Sequence, residues 1–264
     1  MKKTVIITGA SSGIGYALAE ALSKKDEYKI YSISRGNCDI AGVINKKCDV
    51  TKSAKFNKIL KEILAKEKSI YAGVYSAGYS IAAPIELAEE YKLRYLFDVN
   101  YFGAVNFCRA LIPSMRKTHE GRLILIGSMA GQLPVPFLSG YCASKAAIGT
   151  LTQGLSQELE PFGIKCTCIM PGGTATAFTA RRDKINCHDT DYNDAYCKML
   201  ARLGVTEAKG MDAKKVAETI SGILTKKAPP LFLPVGLTNA VTSAAAKLVP
   251  QEIVSMVMES FFVN

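Results

Sequence analysis

Short apolar runs, rich in β-branched residues, recur near positions 4–8, 28–34, 43–48, 70–76, 122–128, 164–170 and 230–235. Between them the apolar residues repeat at helical spacing, as in Ile14, Leu18 and Leu22, or Phe56, Ile59, Leu60, Ile63 and Leu64. Runs of the first kind predict buried strands, and the second pattern predicts amphipathic helices. Their alternation predicts an α/β fold: a doubly wound parallel sheet of about seven strands with helices on both faces. Longer helical patterns cover about 86–117 and 140–160. No linker-like stretch divides residues 1–264, so one domain is expected.

Two segments depart from the alternation. Residues 178–210 carry Arg181-Arg182-Asp183-Lys184 and a polar run through Asn193-Asp194. A plain surface loop is one reading, but that length is unusual for a structureless connection. The tail, 237–264, holds Ile253, Val254, Met256, Val257, Phe261 and Phe262. It is too apolar to be solvated, so it is expected on the core, the pocket or another subunit.

Composition alters this picture little. The formal charge of +10 invites a nucleic-acid partner. Much of it, however, sits in Lys52, Lys55, Lys58, Lys61, Lys66 and Lys68, beside the apolar stripe of one helix. They read as its solvated face, and no aromatic residues interleave to form a stacking platform. A nucleic-acid partner is therefore not expected, although a positive field suits a polyphosphate cofactor. The apolar run after Lys2-Lys3 is too short for a secretory signal, and no stretch approaches a membrane span. A cytoplasmic location follows, with the eight cysteines reduced and none at metal-ligand spacing. Cys166 and Cys168, on one strand, are expected to face opposite ways.

Candidate chemistry begins at the first strand. Thr4-Val5-Ile6-Ile7-Thr8 is followed by Gly9-Ala10-Ser11-Ser12-Gly13-Ile14-Gly15 and then a helix start. That order suits a dinucleotide, because glycines admit its pyrophosphate and the helix N-terminus offers N–H groups and positive dipole. The bland alternative is a tight strand-to-helix connection. Tyr141 and Lys145 lie four apart on a predicted helix, hence on one face. A cation at about 4 Å contributes on the order of 4 kcal/mol at an effective dielectric of 20. That is enough to bring a phenol of pKa about 10 toward neutrality, where it exchanges protons usefully. Ser128 ends the run Arg122–Gly127, at the strand end where open α/β sheets bind ligands.

In these motifs the chain resembles the short-chain dehydrogenase/reductase family over roughly residues 1–236. The resemblance runs through the Thr8-to-Gly15 turn, Asp49-Val50, Asn100 in Asp98-Val99-Asn100, Ser128, Tyr141 to Lys145, and Pro171-Gly172 with Thr174 and Thr176. It implies a Rossmann-type fold and reversible hydride transfer between a nicotinamide cofactor and a carbonyl carbon. It further implies cofactor contacts at Gly9, Ser11, Ser12, Gly13, Ile14, Gly15, Asp49, Val50, Ser76, Ala77, Gly78, Asn100, Tyr141, Lys145, Pro171, Gly172, Thr174 and Thr176. Tyr141 is then the proton donor and acceptor, Lys145 lowers its pKa and binds ribose, and Ser128 holds the substrate oxygen. Asn100 holds a water linking Lys145 to solvent. The family's usual Asn-Ala-Gly reads Ser76-Ala77-Gly78 here, which implies altered local hydrogen bonding with activity retained. Residues 1–177 would form the cofactor-binding and catalytic core, 178–210 a substrate lid, and the two long helices a dimer or tetramer contact.

Cofactor choice falls after the second strand, where an acidic residue would select NAD. The position reads Ser34 followed by Arg35. A guanidinium grips phosphate through paired hydrogen bonds, so NADP(H) is expected. Tyr141-Cys142-Ala143-Ser144-Lys145, Glu160-Pro161-Phe162-Gly163 and Thr176-Ala177-Phe178 resemble the 17β-hydroxysteroid and retinol dehydrogenase branches. The loop Gln132–Leu138 is expected to line an apolar pocket. A hydrophobic alcohol or ketone, a steroid first, is thus the expected substrate. A ketoacyl-thioester reductase and a non-catalytic NADPH-binding regulator are the rival readings.

Overall fold

The computed structural model of the chain describes residues 2–264. The apolar runs become β1 (Lys3–Thr8), β2 (Tyr28–Ser34), β3 (Val43–Lys47), β4 (Ala72–Tyr75), β5 (Gly121–Ile126), β6 (Ile164–Met170) and β7 (Phe232–Pro234). They form one parallel sheet in the order β7-β6-β5-β4-β1-β2-β3. The helices are α1 (Gly13–Ser23), α2 (Ser53–Lys66), α3 (Glu90–Phe97), α4 (Gly103–Thr118), α5 (Ser139–Leu159), α6 (Asn193–Ala208), α7 (Ala213–Thr225), α8 (Leu237–Ala245) and α9 (Gln251–Phe262). This is the single-domain Rossmann-type architecture that the alternation predicts.

Strand side chains alternate between two cores, one on each face of the sheet. Val5 and Ile7 of β1 pack with Leu18 and Leu22 of α1 and Ile220 and Leu224 of α7. Ile6 turns the other way, toward Phe56 of α2, Phe107 of α4 and Leu155 of α5. Each strand thus contributes apolar groups to both layers, which is why the runs read as continuously hydrophobic. The α2 lysines are exposed while Phe56, Ile59, Leu60 and Ile63 are buried, as amphipathic spacing requires. Cys166 and Cys168 correct the expectation stated for them. They enter the same core, because two residues is the full period of a strand.

Three segments differ from their sequence reading. The long helical pattern 86–117 is not one helix. A π-helical segment, Asp98–Phe102, separates α3 from α4 and places Asn100 in it. Residues 178–210 contain a single turn, Ala177–Ala180, a parallel bridge of Asp183-Lys184 to Ile81-Ala82, and the sixteen residues of α6. Polar residues at the start of α6 hid an inward stripe of Tyr196, Met199 and Leu203. The tail forms α8 and α9 and buries only Ala246, Val254 and Phe262 among its large or apolar groups. Leu237, Leu248 and Met256 stay 82%, 86% and 63% exposed. Strand order reverses between β1 and β4, and the crevice at their carboxyl ends holds the residues of interest.

Candidate active site

The turn after β1 is shaped by two glycines. Gly9 has φ +69°, and a Cβ there would meet the Ala77 nitrogen at 2.8 Å. A Cβ on Gly15 would lie 2.7 Å from the Gly9 carbonyl oxygen. Only glycine lets the turn double back on itself while α1 starts flush against it. Thr8 fastens the neighbouring strand end, its Oγ1 accepting from the Ser76 and Ala77 amides at 3.0 and 3.1 Å. This backbone brace stands where Ser76 replaces the family's asparagine. The backbone N–H groups at the start of α1, in a turn lined by glycines, fit a pyrophosphate.

Beside this turn, Ser34 Oγ accepts from the Ser11 amide at 3.3 Å, and exposed Arg35 follows it. The guanidinium lies near the Tyr95 phenol of α3. Asp49 Oδ1 accepts from both the amide and the hydroxyl of Thr51, at 2.9 and 2.8 Å, beside buried Val50. No acidic residue follows β2 directly, so nothing there repels a phosphate.

Ser128 caps a short 3-10 turn, its Oγ accepting from the Ala130 amide at 3.1 Å. This cap fixes the hydroxyl at the crevice. Tyr141 lies in the first turn of α5 and interacts with the Ser128 hydroxyl. Lys145, one turn on, is buried, and its Nζ donates to the Ile126 carbonyl at 2.8 Å. That ammonium lies 5.8 Å from the centre of the Tyr141 ring. Asn100 Oδ1 accepts from the Tyr79 amide at 2.9 Å, and its Nδ2 donates to the Tyr79 carbonyl and Ser144 Oγ at 3.0 and 2.9 Å. The Asn100 side chain thus joins the π segment, the loop after β4 and α5. Ser128, Tyr141, Lys145 and Asn100 come together from three separate elements: the end of β5, α5 and the π segment.

The electrostatics correct one expectation. Burial pushes the Tyr141 phenol up to about 12, partly offset by the Ser128 hydroxyl and the charge of Arg182. Burial also pushes the Lys145 ammonium down to about 8. Low polarity penalises both charged forms at once, so burial outweighs the lysine's effect and the phenol is not brought toward neutrality as the spacing alone implied. Near neutral pH the site holds a protonated phenol beside an ammonium.

Pro171, Gly172, Thr174 and Thr176 close the far wall. The Pro171 carbonyl accepts from the Met129 amide at 2.9 Å, tying this segment to the Ser128 turn. Thr174 Oγ1 donates to the Gly172 carbonyl at 3.1 Å, and Thr176 Oγ1 accepts from the Phe178 amide at 3.2 Å. Phe178 packs 6.1 Å, centre to centre, from the Tyr141 ring. Above Tyr141 lies an apolar cluster of Val135, Leu138, Cys142, Tyr196, Met199 and Phe262. The Gln132–Leu138 loop therefore joins an apolar wall, with Phe137 held at φ +62° against Tyr192 and Tyr196.

Several residues of the site escaped the sequence reading. Arg182 is buried and bidentate to Glu207, with Nη1 to Oε2 at 3.1 Å, and its Nε donates to Ser80 Oγ at 3.3 Å. Tyr79 donates to Asp183 at 2.5 Å. The contacts to Ser80 and Tyr79 fasten the 178–210 segment to the loop after β4, and the one to Glu207 ties the start of the segment to its end. The basic cluster 181–184 was visible in the chain, but its partners, about two dozen and a hundred positions away, were not.

The sequence comparisons agree with this geometry. The short chain dehydrogenase family profile matches residues 3–186. A 3-ketodihydrosphingosine reductase of Bacteroides thetaiotaomicron is 30% identical over 262 residues, covering 98% of this chain and 97% of that one. Estradiol 17-beta-dehydrogenase 2 of Mus musculus is 30% identical over 250 residues, which cover 89% of this chain and 63% of that protein. The crystal structure of a short-chain dehydrogenase from Streptomyces avermitilis superposes with a TM-score of 0.80 at 29% identity, covering 97% and 98% of the two chains. The chain belongs to the short-chain dehydrogenase family: it is an oxidoreductase of CH–OH and C=O groups that uses a nicotinamide dinucleotide. Relatives acting on a sphingoid ketone and on a steroid stand at the same identity, so no branch of the family is singled out.

Proposed function

We propose that the chain is an NADP(H)-dependent reductase of a ketone carried by a long, hydrophobic molecule. The observation that carries this reading is the placing of the Tyr141 and Ser128 hydroxyls together beneath an apolar wall. Arg35 and Ser34 would hold the 2′-phosphate, the Gly9–Gly15 turn the pyrophosphate, and Lys145 the nicotinamide ribose. When bound, the cofactor supplies the hydride.

The chain's own groups supply the rest. Ser128 Oγ orients the substrate oxygen where negative charge develops. A phenol raised to about 12 keeps its proton at neutral pH, so Tyr141 is set to donate that proton to the forming alkoxide. The Lys145 ammonium, positioned by the Ile126 carbonyl, supports the phenolate left behind. Asn100 holds the loop after β4 and α5 in register, so that Lys145 stays aimed at the site. Residues 178–210 act as the substrate lid, fastened through Arg182 and Tyr79. The C-terminal segment completes the apolar wall through Phe262.

Full-length similarity to the 3-ketodihydrosphingosine reductase, including the tail, favours a long-chain ketone over a steroid. The steroid reading is kept by the similarity to the mouse estradiol dehydrogenase. Following NADPH oxidation with 3-ketodihydrosphingosine, estrone and acetoacetyl thioesters separates the choices. Turnover of the first alone is expected; turnover confined to estrone or to thioesters overturns the assignment, and turnover of none favours a regulator.

A further inference from the structure

The lid segment carries two consecutive arginines with different destinations. Arg182 turns inward to Glu207 and Ser80. Arg181 stays exposed and runs back to the glycine-rich turn, where Nη1 donates to Ser12 Oγ at 3.1 Å. Ser12 is the residue that opens α1, yet its hydroxyl makes no capping bond to that helix. Thr176, five residues before Arg181, lies 3.7 Å from the position of a Cβ on Gly13. The segment 176–181 therefore lies along the turn, touching it at Gly13 and at Ser12.

A pyrophosphate brings two negative charges to this place. The turn and the start of α1, Thr8 to Tyr16, contain no lysine or arginine. Arg35 follows Ser34, whose hydroxyl meets the Ser11 amide, and is assigned above to the 2′-phosphate. Among the described residues Arg181 has no carboxylate partner, unlike its neighbour. A guanidinium offers several donors in a plane, so it can keep Ser12 and still take up a phosphate oxygen. We infer that Arg181 is a positioning residue for the cofactor: it closes over the pyrophosphate from the lid side and couples dinucleotide binding to the lid's order. The inference rests on the dinucleotide assignment above and adds a residue that neither the sequence motifs nor the family resemblance supplied.

Calorimetric titration of NADPH and NADH into the full chain tests it, with Arg181→Ala, Arg181→Lys and Arg35→Ala compared with wild type. Both coenzymes carry the pyrophosphate and only one carries the 2′-phosphate. Arg181→Ala should therefore weaken both by the same factor, tenfold or more, with Arg181→Lys recovering most of it. Arg35→Ala should weaken NADPH alone. Hydrogen exchange across 176–184 should slow when NADPH is added to wild type and stay unchanged when it is added to Arg181→Ala. Wild type that binds both coenzymes, with Arg181→Ala within twofold of it, overturns this inference alone. Wild type that binds neither overturns the cofactor assignment and this inference with it.

Discussion

Replacing Glu207 by glutamine strands one of the most enclosed charges in the protein. The Arg182 side chain is 3% exposed and that of Glu207 is 12% exposed, and two hydrogen bonds join them. Removing one partner of such a pair costs about 3–5 kcal/mol, because the remaining charge stays buried without compensation. Felt by the whole domain, that loss would lower Tm by roughly 6–20 °C for a chain of this size. The pair, however, lies within a segment that can open by itself, tying its start to its end, and local opening caps the cost to the rest of the fold. The expected outcome for Glu207→Gln is hydrogen exchange across 178–210 faster by on the order of a hundredfold or more, with a smaller change in Tm. The converse variant, Arg182→Met, should be relieved by acid. A stranded carboxylate can take up a proton, whereas a guanidinium cannot shed one. Its exchange rates should therefore approach wild type as pH falls, while those of Glu207→Gln should not. The double variant Arg182→Met/Glu207→Leu should restore much of the protection, since an apolar pair of similar volume removes both desolvation costs. Equal exchange in wild type and Glu207→Gln at neutral pH would refute the latch.

Three further outcomes follow from the site. Tyr141→Phe should lower kcat by at least a hundredfold, about the range for a lost general acid, and leave the NADPH Kd within twofold; retained turnover would move the proton donor elsewhere. Lys145→Met should stabilise the fold near pH 7 while abolishing turnover. The lysine binds its proton less tightly when folded, about 8, than when unfolded, about 10.5, so its destabilising contribution is full below pH 8 and fades as pH rises toward 10.5. The gain in denaturant stability should be roughly 3 kcal/mol at pH 7, shrinking toward pH 10; no gain would show the ammonium to be better solvated than its burial implies. Arg35→Ala should cut kcat/KM with NADPH by tenfold or more while leaving NADH nearly unchanged, about the worth of a charge-assisted hydrogen bond.

The parts legible in the chain were those governed by local spacing. Ile6 between Val5 and Ile7 announces a strand buried on two faces, and Leu18 four residues before Leu22 announces the helix beside it. Gly9 and Gly15 declare a turn that tolerates no side chain. What spacing fixes is adjacency, and adjacency is not energy. Tyr141 and Lys145 do stand one turn apart, yet the lysine spends its hydrogen bond on Ile126, and shared burial drives the two proton affinities against the simple Coulomb expectation. The strength of that burial depends on α6 and the tail, whose inward residues Tyr196, Met199 and Phe262 meet α5 only in the folded chain. For the same reason Arg181 and Arg182 look alike in sequence and differ in space. One residue of rotation on a short turn sends the first to Ser12 and the second to Glu207. Sites assembled from a single strand-turn-helix unit can be read from the chain. A lid that must find partners after β4 and at the start of α1, and tie its own start to the end of α6, is specified only by the packing that positions all three.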